Sequence, residues 1–322
     1  MAVIAYHASH EQFAPSHLFK MAVLAEKAGF GAIHSSDHFH PWSERQGHSG
    51  FSFAWLGAAM QATQLPFSMV CAPGQRYHPA IVAQAFATLA EMFPERFSAE
   101  LGSGEALNEA ITGQPWPDKQ VRNRRLLESV EVIRKLLRGE TVTHHGLVEV
   151  EGACLYTRPD KAPMLMGAAL TVETAAWAGG WADGLLTVAQ AVEEVCKIRD
   201  AFYAGGGEGK PFIIQLALSY AATEQEALEG AHEQWRNNLL PTPLLGSLAY
   251  PAQFDFLGGN ISQKEVESRI PVSADLSFHL DKILQLLETG CSRLILHNVN
   301  RQQERFIDDF GAHILSALQG FK

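Results

Sequence analysis

"FSMVCAPGQRYHPAIVAQAFATLAEMFPERFSAEL", Phe67 to Leu101, holds one complete strand–helix–strand unit. "FSMV" (Phe67–Val70) and "FSAEL" (Phe97–Leu101) are short apolar runs bounded by turn residues, so both read as buried strands. Between them, Pro79 to Met92 reads as a helix. A strand, a helix and a second strand in this order suit the repeating unit of a (β/α) fold. The same unit recurs along the chain. "VIAY" (Val3–Tyr6) precedes a helix at 15–28, whose apolar Leu18, Met21, Ala22, Leu24 and Ala25 recur at helical spacing. Pro15 opens that helix and Gly29 follows it, the usual asymmetry. "AIHS" precedes a helix at 51–63. A long helix at 120–137 follows the fourth strand. "MLM", "GLLTV", "FIIQLAL" and "RLILHN" supply strands five to eight, with helices at 171–181, 192–204, 223–237 and 301–318.

Eight strands, most followed by a helix, predict an α/β fold: a TIM-type (β/α)8 barrel with insertions. The 322 residues then form a single domain with insertions near 141–157 and 241–275, the second and larger of them irregular. "TVTHHGLVEVEGACL" in the first insertion reads as a hairpin turning at Gly146, with His144 and His145 facing solvent. "AGGGEGKP" (Ala204–Pro211) has Ala204 and Pro211 where a phosphate loop needs glycine and Ser/Thr, and it runs from helix to strand. It reads as a flexible connector.

The net charge of −10 and the lack of a Lys/Arg cluster argue against nucleic acid or an anionic membrane surface, so a small molecule is the expected partner. Cys71, Cys154, Cys196 and Cys291 form no paired motif, which fits reduced thiols in the cytoplasm. No secretory leader and no membrane span is expected.

Barrel active sites gather at the carboxyl ends of the strands. "SSDHFHPW" (Ser35–Trp42) lies at the end of strand two. His38 and His40 could begin a metal site, but strands five and six end without histidine, so no ligand set assembles and no metal is expected. The acid–base reading uses Asp37 and His38, which point to opposite sides of an extended chain. "ELGSGEALNE" (Glu100–Glu109) ends strand four. Its Gly102, Ser103 and Gly104 let the backbone approach a ligand, although the spacing is not a dinucleotide fingerprint. His7, beyond strand one, falls on the same face.

Taken together, "ASHEQFAP", "SSDHFHPW", "APGQRYHPAIVAQAFATLAEMFPERF" and "GSGEALNE" resemble the bacterial-luciferase-like superfamily of flavin- and deazaflavin-dependent oxidoreductases, densely over about the first 135 residues. The resemblance extends to its F420-dependent glucose-6-phosphate dehydrogenase branch and to a flavinoid subgroup that does without F420. It implies hydride transfer between a small organic substrate and FMN or F420, with FMN favoured, in a homodimer. A reduced-FMN monooxygenase is the alternative, and a metal-dependent hydrolase a more distant one. It implies His38 as base, Trp42 as a wall steadying the intermediate, and Glu105 as proton donor. Asp37, Met69, Val70, Ala72, Gly102, Ser103, Gly104, Asn108, Gly167 and Ala168 become cofactor contacts, and the Met69–Val70 peptide is expected cis. The phosphosugar branch carries a lysine soon after strand six. Here "TVAQAVEE" offers none before Lys197, and Lys264 and Arg269 are the only replacements in view.

Overall fold

The computed structural model describes residues 2–320. Among them, ten strands fall in two groups. β1 (Val3–Ala8), β2 (Ala32–Ser35), β3 (Phe67–Cys71), β4 (Phe97–Leu101), β7 (Met164–Ala168), β8 (Leu185–Val188), β9 (Phe212–Leu218) and β10 (Arg293–Asn298) close a parallel barrel in the order β1-β10-β9-β8-β7-β4-β3-β2. β5 (Val142–His145) and β6 (Glu149–Ala153) form the expected antiparallel hairpin outside it. His145 is exposed there, whereas His144 is half-buried against Glu128.

The helices are α1 (Pro15–Ala28), α2 (Ser52–Ala62), α3 (Pro79–Met92), α4 (Ala106–Glu109), α5 (Lys119–Leu137), α6 (Val172–Gly179), α7 (Val192–Phe202), α8 (Glu224–Trp235), α9 (Thr242–Leu245), α10 (Pro251–Gly258), α11 (Gln263–Glu267), α12 (Leu276–Leu287) and α13 (Gln303–Asp309). Local chemistry sets their ends. α1 stops at Gly29, whose φ of 96° suits glycine and whose N–H reaches the carbonyls of Ala25 and Glu26. α3 starts with Pro79 at its first position and the His78 ring accepting from Ala80 N. The Asp118 side chain accepts from Val121 N to start α5.

Three expectations need correction. The 204–211 stretch is not a flexible connector: it forms a wide turn pressed on α6, where a side chain on Gly205 would run into the Ala176 carbonyl and one on Gly179 into that of Phe202. The 241–275 insertion is not irregular but carries α9, α10 and α11; Gln253 Oε1 accepts from the Tyr250 N–H at the start of α10, and Ser262 with Glu265 forms a capping box at the start of α11. The Met69–Val70 peptide is trans, as is every described peptide, and regular pairing of Met69 with Ala99 and of Val70 with Glu100 runs through it.

Side chains alternate along each strand. Tyr6, Ile33, Met69, Ala99 and Leu165 face the helices and join the main core. Ala5, Ala32, Met166, Leu186, Ile213 and Ile295 fill a small apolar cluster inside the barrel. The rest of the interior is polar: His7, His34, Ser68, Glu100 and His297 are all buried there.

That polar interior makes stability depend on pH. Burial pushes His10 down to about 4 and His297 to about 3, and it also lowers His7 and His34 well below the ordinary imidazole range. The unfolded chain then binds protons below ~6.5 that the fold refuses, so stability falls on acidification. Burial raises Glu100 to about 8, so the fold keeps a proton that the unfolded chain loses near ~4.3, and stability falls as pH rises towards 8. Each group contributes at most about 1.4 kcal/mol per pH unit. Urea unfolding is expected to show a stability maximum near neutrality. Glu100→Gln should remove the decline between ~6.5 and ~8; an unchanged profile would contradict the burial of a protonated carboxyl.

Candidate active site

The loop after β2 and the turn after β4 meet at the barrel mouth. Asn108, on the one-turn α4, joins them. Its Oδ1 accepts from Phe39 N at 2.9 Å, which fixes the amide orientation, and its Nδ2 then faces His38 Nδ1 at 3.1 Å. His38 Nδ1 is therefore the acceptor, and the ring hydrogen sits on Nε2. Nε2 points at Glu11 Oε1, 3.3 Å away. Glu11 is buried, and its Oε2 accepts from Ser36 Oγ at 2.6 Å and Ser9 Oγ at 3.0 Å. Burial alone would raise this carboxyl, but His38 and the Ser36 hydroxyl outweigh it and hold it below the ordinary carboxylate range.

His40 donates from Nδ1 to the Leu107 carbonyl at 2.9 Å, so it ties the same two segments together. Trp42 sets its ring 5.2 Å from that of His38, backed edge-on by the fully buried Phe254 at 5.3 Å. Asp255, next to Phe254 on α10, clamps this stretch. It accepts from Ser43 Oγ (2.6 Å), Glu44 N (3.0 Å) and Asn237 Nδ2 (2.8 Å), and pairs with Arg45 at 2.9 Å.

Glu105 stands just before α4. No hydrogen-bond partner meets its carboxyl among the described residues. Burial pushes it up to about 6, with His38 opposing the shift and Glu11 and Glu109 adding to it. A carboxyl with no partner and a raised pKa can carry and release a proton near neutrality. Val70, Ala72, Gly102, Ser103, Gly104 and Ala168 sit at the carboxyl ends of β3, β4 and β7, and each keeps some solvent access. Gly104 has a φ of 80°, and a side chain there would press on Trp116, Glu109 and Ala72. The wall is thus built of small residues.

Three expected contacts stand elsewhere. Met69 and Gly167 are one residue out of phase and face the helices. Met69 lies in the main core, and a side chain on Gly167 would meet Ala178 at 3.1 Å. The Asp37 carboxylate is already engaged, accepting from Arg76 Nη2 at 2.8 Å and Tyr77 OH at 3.1 Å. Burial raises it against the pull of these two partners. Arg76 also lies 3.5 Å from Glu109, and its backbone N–H donates to Glu109 Oε2 at 2.6 Å. Sequence reasoning named neither Glu11 nor Arg76 nor Asp255. The first two lie inside quoted motifs, but nothing local marks which polar residue of a motif turns inward.

Among the described residues no group of three or more His, Cys, Asp or Glu is arranged to hold a metal. Lys264 and Arg269 are exposed on and after α11, and Lys197 pairs with Glu194.

A closed parallel barrel carrying a histidine–carboxylate pair and a free acid at its carboxyl end is a (β/α)8 enzyme. The chain belongs to the luciferase-like monooxygenase family, whose sequence profile matches residues 2–266, and it is an oxidoreductase of that class. It is similar to the F420-dependent glucose-6-phosphate dehydrogenases of Nakamurella multipartita (34% identical, covering 98% of this chain and 96% of that one) and Beutenbergia cavernae (34%, 99% and 98%). Among solved structures, an F420-dependent secondary alcohol dehydrogenase in complex with an F420-acetone adduct superposes with a TM-score of 0.90 at 30% identity, covering 98% of this chain and 99% of that one. A long-chain alkane monooxygenase shares the fold at 15% identity and a TM-score of 0.75, covering 99% of this chain and 92% of that one.

The Arg76 network yields a stability test. Arg76→Met leaves the Asp37 and Glu109 carboxylates buried without their cation, a loss of about 3–5 kcal/mol. Asp37→Asn added to it should recover a substantial part. Denaturant melts would show this, and an Arg76→Met protein as stable as the parent would remove the structural assignment of Asp37.

Proposed function

We propose that the chain oxidises a small neutral alcohol, or reduces the matching carbonyl compound, with a deazaflavin of the F420 type as hydride partner. The observation that carries this reading is the His38–Glu11 pair held against the Trp42 ring, with the unpartnered Glu105 carboxyl nearby. The preference for F420 over FMN rests on the relatives at 30–34% identity, whose names specify F420, and it replaces the lean towards FMN drawn from the sequence. The residues present fit a flat tricyclic ring: the wall of Val70, Ala72, Gly102, Ser103, Gly104 and Ala168 is short-sided, and Gly104 lets the backbone turn tightly against Trp116 and Glu109. Those residues would hold the ring, which when bound supplies the hydride chemistry.

The protein's own part is proton handling and placement. A substrate hydroxyl displaces the Asn108 amide from His38 Nδ1 and gives that nitrogen its proton. The Glu11 carboxylate, 3.3 Å from Nε2, stabilises the imidazolium that results. Trp42 confines the substrate beside the base. Glu105 holds a proton below about 6 and loses it as pH rises through that value, so donation from it fades on the alkaline side.

A neutral substrate is favoured because the loop after β8, Val188 to Ala191, has no cation and Lys197 is taken up by Glu194. A homodimer and a cytoplasmic location go with this reading. No described helix is long and apolar enough to cross a membrane.

Titration of the protein with F420 and with FMN, followed by fluorescence, is expected to give tighter binding of F420; no binding of either ring refutes the reading. His38→Ala and Glu105→Gln should each lower kcat by about 10²–10⁴-fold while cofactor affinity holds. Full turnover in either variant removes its role. A secondary alcohol should be turned over with a higher kcat/KM than a sugar phosphate, and the reverse order would restore the phosphosugar reading.

A further inference from the structure

Beneath the mouth lies a second set of titratable groups that the His38 and Glu105 chemistry leaves unused. His7 of β1 and His34 of β2 meet Nδ1 to Nδ1 at 2.8 Å. Two such atoms at that distance share one proton: one donates and the other accepts. His34 Nε2 faces Glu100 Oε2 of β4 at 3.7 Å, and among the described residues neither that nitrogen nor either Glu100 oxygen has a hydrogen-bond partner. His34 and Glu100 are fully sealed. His7 lies near the carboxyl end of its strand and keeps a trace of exposure, with its ring 4.1 Å from that of His297.

Barrel interiors are ordinarily filled by branched apolar side chains, and unpaired polar groups in that place cost stability. The arrangement also has a direction. Burial keeps Glu100 protonated up to about 8, so its O–H is a donor, and His34 Nε2 is the acceptor it faces. With Nε2 accepting, His34 carries its hydrogen on Nδ1 and donates it to His7 Nδ1. His7 then carries its own hydrogen on Nε2, the nitrogen left for the mouth.

We infer that Glu100, His34 and His7 form a proton relay that delivers a proton from the sealed barrel interior to an anionic group formed in the mouth. As that group takes the Nε2 proton of His7, the Nδ1 proton of His34 passes to His7 Nδ1. The Glu100 proton then passes to His34 Nε2, across a gap that a small carboxyl rotation closes. One bond to hydrogen breaks and one forms at each link, and the negative charge ends on Glu100. Arg293 of β10, whose Nη1 donates to Ser68 Oγ of β3 at 3.3 Å, is the cation that faces it and His34. His10 and Glu11 after β1, His38 after β2 and His297 of β10 face His7. The relay does not depend on which ring the mouth binds.

Infrared spectroscopy of the protein as purified tests it. A protonated-carboxyl stretch should be present at neutral pH and vanish in Glu100→Gln. On dilution into D2O that band should shift quickly in the parent, because the relay connects a sealed acid to the mouth. His7→Phe and His34→Leu should keep the band and slow its shift by about tenfold or more, since exchange must then await opening of the fold. Absence of a Glu100-dependent band, or an exchange rate unchanged by His7→Phe, overturns the relay. Should His34→Leu fail to fold, His7→Phe at the rim decides alone.

Discussion

The alternation of side chains along closed parallel strands is the constraint on which everything else here depends. Once the barrel closes, each strand residue faces either the axis or the helices, with no third choice. His7, His34, Ser68, Glu100 and His297 fall on the axial side, while Tyr6, Ile33, Met69 and Leu165 fall on the helical side. Burial on the axial side then sets the protonation of the polar residues caught there. The chemistry of the mouth is drawn from loops that begin where this alternation ends, so strand phase decides which loop residues reach the axis.

The fold was largely legible because local signals and global closure agree. β2, β4, β9, β10, α1 and α3 have the ends that their turn and cap residues predict. The misreadings share a physical cause. The 204–211 glycines look flexible in sequence, yet they serve close packing against α6, which only the tertiary contact reveals. The 241–275 helices are too short to show a helical period, although the capping box at Ser262 is local.

At the site, His38, Trp42, Glu105 and Asn108 were legible as parts of motifs, and the structure brings them together. Met69 and Gly167 were displaced by a single step of strand phase, which a motif does not state. Asp37 was legible as an important acid, but its partner Arg76 lies 39 positions along the chain. Glu11 was the hardest to find, because an acid in a loop is usually solvated. Its weight comes from burial and from the imidazole beside it. His40, which the motif left without a role, holds the loop to α4.

Trp42 owes its position to Asp255 and Phe254, both on a helix of the 241–275 insertion. His38, Glu11, Asn108 and Glu105 owe theirs to the loops after β1, β2 and β4. The Trp42 wall, carried on the same loop as His38, is therefore braced from behind by the insertion. Sequence drift in the insertion can reshape what the mouth admits, while the His38–Glu11 and His38–Asn108 contacts stay within the barrel's own loops. A barrel divided in this way lets one catalytic apparatus be inherited intact while its substrates change.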